Sequence, residues 1–233
     1  RAPLPVLRRG PGDRGPDALA GAGPALTRVR PAASDLLPAA RLGDELLLLG
    51  SGLGLADTQV RFEHGRGGPP LSPAPTPPDG PTTMRLRLPP STESDAIADW
   101  RVGMYSVRLI TAPAGLPAAL SNAVALPLSP SITVDPLAAP AGDVALTVGC
   151  RPRLLPEQAA GVRLLFGGRD VVPDSIDTPD DPTLPTRLAF TVTGATTGNH
   201  PVRLRVDGLD SLPARIAADG TFEFDPQQTV VIA

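Results

Sequence analysis

The chain has no lysine, one cysteine, two histidines and an aromatic content of only 3% in 233 residues. Each shortage excludes something. Without lysine there is no Walker loop, which needs Gly-Lys-Ser/Thr to reach a phosphate; all 21 basic residues are arginine. Cys150 alone cannot close an internal disulfide, so the chain is not a cysteine-stapled scaffold. With so few aromatics a large aromatic-lined pocket is not expected, and the formal charge of −3 lacks the basic field of a nucleic-acid binder. No apolar run reaches the length of a membrane span and no signal peptide is visible, so no membrane segment is expected in this piece. The first residue is Arg1, not methionine, which reads as a fragment or processed form of a longer parent.

Proline and glycine are abundant instead, at 31 and 24 residues, and they favour short strands joined by many turns over long helices. Residues 1–25 break at every few positions with one or the other and read as a Pro/Gly-rich linker or arm. The stretch "GDELLLLGSGLG", residues 43–54, raises a phosphate-loop question, because four leucines run into closely spaced glycines. A dinucleotide fingerprint needs a third glycine three positions after the second and a helix opening there. Position 55 is Leu55, and the following "DTQVRFEHG" alternates with the period of a strand. The glycines therefore read as a strand-to-strand turn.

The chain can be laid over itself at a period of about a hundred residues. "RLGDELLLLG" answers "PAGDVALTVG", with Gly43-Asp44 on Gly142-Asp143. "VRFEHG" answers "VRLLFGG", "TTMRLRLP" answers "PTRLAFTV", and "GMYSVRL" answers "GNHPVRL", all in the same order. Alternation assigns an inward set in each copy. In the first it is Val60, Phe62, Met84, Leu86, Leu88, Tyr105, Val107 and Leu109. In the second it is Val144, Leu146, Val148, Val162, Leu164, Phe166, Leu188, Phe190, Val192, Val202, Leu204 and Val206. Arg61, Arg85, Arg87, Arg108, Arg163, Arg203 and Arg205 point outward, where charge discourages edge-to-edge association.

About seven short strands per repeat predict an all-β fold of two tandem immunoglobulin-like (IPT/TIG-like) β-sandwiches, residues 26–129 and 130–233, behind the arm. Tyr105 precedes inward Val107 by two residues, the position of a tyrosine corner, and His200 is its counterpart. No cysteine stands at Val107, so packing alone must join the sheets. The junction "LPLSPSITVDP" is short and proline-rich, which sets the sandwiches end to end with limited freedom.

Chemistry is sparse. A nucleophilic site needs a histidine oriented by a third group beside its nucleophile. His64 falls in the hairpin "EHGRGG" and His200 at a strand corner, one per repeat, and Cys150 has no patterned partner, so no catalytic residue, cofactor or metal ligand is assigned. "RDVVPDSIDTPDDP" carries Asp170, Asp174, Asp177, Asp180 and Asp181, which could bind calcium, but their spacing fits no defined calcium loop and equally suits turns. Trp100 reads as a lid on the first core.

The segments "VLRRGPGDRGP", "GDELLLLGSGL", "VRLRVDGLDS" and "FDPQQTVVI" resemble the carboxy-terminal half of the cap, or tail-terminator, proteins of extracellular contractile injection systems, over most of residues 5–233. These are phage-tail-like particles. The resemblance implies a structural, non-enzymatic region with no catalysis or cofactor of its own. It also implies a homohexameric parent whose ring-forming domain is not in this chain, while the fragment itself is a monomer. The expected partners are subunits at the tube or sheath end, with neither nucleic acid nor membrane, and assembly is cytoplasmic, in an extracellular or cytoplasmic particle. The alternative is a carbohydrate- or protein-binding module of an exported enzyme or adhesin.

Overall fold

The computed structural model describes residues 23–54, 57–73, 80–91, 97–112, 117–216 and 221–233. The arm, apart from its last three residues, lies outside them. The first half of the chain supplies β1 (Ala25–Pro31), β2 (Glu45–Ser51), β3 (Thr58–His64), β4 (Thr83–Arg87), β5 (Gly103–Thr111), β6 (Ala119–Leu120) and β7 (Val124–Leu128). One sheet runs β1-β2-β4, and the other centres on β5, flanked by β3, β6 and β7. The second half supplies β8 (Ser131–Asp135), β9 (Ala138–Ala139), β10 (Gly142–Arg151), β11 (Arg163–Phe166), β12 (Arg169–Val171), β13 (Ser175–Asp177), β14 (Thr186–Ala195), β15 (Gly198–Val206), β16 (Leu209–Asp210), β17 (Ala214–Ile216), β18 (Phe222–Phe224) and β19 (Thr229–Ile232). Its sheets run β13-β14-β10-β8 and β12-β11-β15-β19-β9. In immunoglobulin lettering these are A-B-E facing C-F-G, then D-E-B-A facing C′-C-F-G. The chain is all-β and forms two tandem immunoglobulin-like sandwiches.

Every residue of both inward sets is buried, none more than 3% exposed. Alternation read the faces well because each sheet has one dry and one wet side. Arg61, Arg85, Arg108, Arg203 and Arg205 meet carboxylates, while Arg163 donates to the Ala160 and Val162 carbonyls. Arg61 lies directly across from Arg108, and Arg163 from Arg205, both like-charge pairs that would repel. Glu63 sits between the first two at 2.9 and 3.8 Å, and Asp210 binds Arg205 at 2.6 Å and Arg203 at 3.1 Å.

Two of the internal matches need correction. Setting Gly43-Asp44 on Gly142-Asp143 would place buried Leu46 over exposed Ala145 and half-buried Leu47 over buried Leu146. The two aspartates have different tasks. Asp44 precedes its strand and accepts a hydrogen bond from Arg41 N at 2.8 Å, whereas Asp143 lies inside β10 at a bulge and accepts from Gly194 N at 2.8 Å. The match of "VRFEHG" to "VRLLFGG" is two residues out: Phe62 pairs with Val107, and it is Phe166 that pairs with the equivalent Val202. A two-residue slip preserves facing, so the inward assignment survived it.

The glycine run after β2 is a turn. A Cβ on Gly50 would strike the Ala25 carbonyl of the neighbouring strand, where β1 is bulged, and Gly52 has φ +69°. Thr58 then opens β3. Tyr105 forms the predicted corner: its hydroxyl donates to Arg101 O and accepts from Arg101 N, both at 3.0 Å and four residues upstream. His200 reproduces this with Nε2 at 2.8 Å from Thr196 O, also four residues upstream, its ring stacked on Phe166. Trp100 is 3% exposed and packs against Phe62 and Tyr105, closing the first core.

Candidate functional site

A network of polar side chains joins the two sandwiches where they meet. Only Ser129 and Pro130 separate β7 from β8, and both are buried. Ser129 N donates to Ala40 O and its hydroxyl to Asp210 O, so the linker is tied to both sides. Val102, just before β5, belongs to the first half by sequence, but its fully buried side chain packs in the second sandwich's core.

The Val102 carbonyl is the centre of the junction. It receives Nε2 of His64 at 3.2 Å from the first sandwich and Nε2 of Gln158 at 3.0 Å from the second. Gln158 lies in the 3-10 turn Pro156–Gly161, is fully buried, and has every polar atom engaged: Oε1 accepts from Leu155 N, and Nε2 also reaches Asp207 Oδ2 at 3.0 Å. Asp207 heads the turn after β15 with φ +50°, a left-handed conformation that aspartate tolerates better than most residues. Arg66, from the turn after β3, grips its carboxylate with both arms of the fork, Nε to Oδ2 at 2.9 Å and Nη2 to Oδ1 at 2.7 Å. This bidentate geometry is the strong form of an ion pair. Around it lies a cavity of about 250 Å³ lined by His64, Gly65, Arg66, Gly103, Met104 and Asp207, below the usual size of a small-molecule site.

His64 has both ring nitrogens engaged. Nε2 donates to Val102 O and Nδ1 accepts from Arg66 N at 3.2 Å, while the ring meets Tyr105 edge-on at 5.0 Å. Burial, with Arg101 and Arg66 nearby, holds its pKa below the ordinary histidine value of 6.5, against the opposing pull of Val102 O and Asp207.

The sequence-level candidates do not assemble into a site. His64 is at the junction and His200 at the opposite end of β15 from Asp207. Cys150 is wholly buried in the second core, and burial pushes its thiol up to about 12, which leaves it an inert apolar side chain at neutral pH. The five aspartates spread over β12, β13 and the loops beside them; Asp174 accepts from Thr191 Oγ1, and Asp181 closes a turn on Thr183. Among the described residues no group of three or more His, Cys, Asp and Glu could hold a metal ion, and no helix is long and apolar enough to cross a membrane. Sequence reasoning missed Arg66, Val102, Gln158 and Asp207. The one local signal was the Asp207-Gly208 turn.

A family profile described as a domain of unknown function (DUF8756) matches residues 127–231, the second sandwich with the end of β7. No curated protein matches. Among solved structures, a marsupial T cell receptor is 10% identical with a TM-score of 0.31, covering 78% of this chain and 60% of its own. Fibronectin(III)-like modules of Clostridium thermocellum CbhA are 13% identical with a TM-score of 0.23, covering 88% and 93%. The chain thus spans 60% of the receptor chain it matches. At these TM-scores neither likeness carries an argument, and the fold assignment rests on the strand order above.

Proposed function

We propose that the chain is a structural and interaction region without catalysis of its own, two immunoglobulin-like domains locked into one unit, in the cap protein of a contractile injection particle. The observation that carries the structural reading is the junction: Val102 from one half buried in the core of the other, beside the Arg66–Asp207–Gln158 network. A two-residue linker and shared core fix the relative placement of the outer surfaces, as a spacer needs. The particle context comes from the sequence resemblance. Light scattering should find the purified chain monomeric. Particles purified from cells lacking the gene should have tubes of abnormal length or ends; normal tubes at normal yield would remove the cap reading.

A second reading, surface recognition, has its own observation. The connection between β15 and β19 carries the hairpin β17–β18, in which Phe222 and Phe224 are 44% and 71% exposed. Two of the five phenylalanines in the chain stand there. This is the F–G position, a recognition loop in variable domains. Saturable binding to a glycan or protein panel that Phe224→Ser abolishes would favour it.

A further inference from the structure

We propose that the junction is an acid-sensitive latch: a proton taken up by His64 displaces the turn that carries Arg66, releases Arg66 from Asp207 and loosens one sandwich from the other. This stands whether or not the chain caps a particle.

The hydrogen bonds around His64 fix the protonation state of its ring. His64 Nε2 faces a carbonyl, which can only accept, and Nδ1 faces the Arg66 backbone N–H, which can only donate. The geometry therefore holds the neutral ring with its proton on Nε2. A second proton has nowhere to go but Nδ1, where it would meet the Arg66 N–H head-on. The ring must rotate away or the turn must open, and that turn carries the guanidinium that grips Asp207.

The surroundings offer the new charge no home. Arg66 faces the ring from its own turn and Arg101 from the segment before β5; both repel an imidazolium. Tyr105, from β5, spends its hydroxyl on Arg101. Asp207, from the second sandwich, is the one opposing charge facing the ring among the described residues, and Arg66 and Gln158 already occupy its carboxylate. Glu63, the neighbour on β3, is engaged by Arg61 and Arg108. The lowered affinity of His64 for protons agrees with this packing and sets the sign. Above about 6.5 both closed and open forms are neutral and the latch is fully stable; as pH falls below that value the open form takes the proton first, and closure weakens.

The test is an interdomain distance measurement on the full chain. Spin labels at Thr27→Cys and Thr193→Cys report on opposite sandwiches, and buried Cys150 stays unlabelled. The distance distribution should be narrow at about pH 7.5 and broaden at about pH 5. His64→Gln, which can still donate to Val102 O, should stay narrow at both, and Asp207→Asn should be broad at both. Imidazole NMR supplies a readout without substitution: His64 should titrate together with the broadening. An unlabelled junction that keeps His64 neutral at about pH 5, a wild-type distribution that does not change, or a change that persists in His64→Gln would each overturn the latch.

Discussion

Tyr105 and Cys150 are both buried protonated, one per sandwich, and burial pushes each up to about 12 from ordinary values of 10.0 and 9.0. The native state therefore keeps a proton that the unfolded chain loses first. That contribution to stability is complete below the ordinary pKa and is lost as pH rises toward the folded one. Chemical denaturation followed across alkaline pH should show the second sandwich weakening from about pH 9 and the first from about pH 10. Cys150→Ala should remove the earlier decline, and Tyr105→Phe the later one at the cost of its corner bonds, about 1–2 kcal/mol. A decline unchanged in both variants would assign it to other groups. The inward and outward assignments are tested as directly. Val107→Asp or Leu204→Asp buries an unpaired charge and should cost on the order of 4 kcal/mol or more. Arg108→Asp, on the wet face, should stay within about 1 kcal/mol, and equal losses at both kinds of position would contradict the facing.

At the scale of elements, strands were legible and their registers were not. Alternation at β5 or β14 reports which side is dry, because burial acts on side chains with period 2. Register is set by backbone events that leave little trace in composition: the bulge in β1 opposite Gly50, the bulge at Asp143, and the loop role of Asp44. That is why Gly43-Asp44 and Gly142-Asp143 look alike in sequence and serve different turns. Gly50 carries a testable consequence. Since a Cβ there meets a backbone carbonyl and not a mobile side chain, Gly50→Ala should destabilise the first sandwich by on the order of 2–3 kcal/mol. Gly54→Ala, whose nearest neighbours would stand at 3.5 Å, should be nearly silent in the same melting experiment.

For the whole molecule the question is whether two sandwiches make one cooperative unit, and the junction residues decide it. Apart from His64 at the end of β3, they were invisible to pattern reading because none lies on an alternating face: Arg66 and Asp207 are turn residues, Gln158 lies in the 3-10 turn, and Val102 sits just before its strand. Their effect is nonetheless global. Removing two methyls from Val102 leaves a small cavity in the second core at the point where the first sandwich enters it, a loss of about 2 kcal/mol. It also weakens the only core contact through which unfolding of one half is felt by the other among the described apolar clusters. At neutral pH, with the His64 contacts intact, calorimetry of the wild type should give one transition whose van't Hoff and calorimetric enthalpies agree. Val102→Ala combined with Arg66→Ala should split it into two. The lower transition should belong to the second sandwich, which loses packing, and the upper to the first, which loses only an exposed side chain from its turn. Two transitions already present in the wild type would mean that the junction aligns the sandwiches without coupling their stabilities.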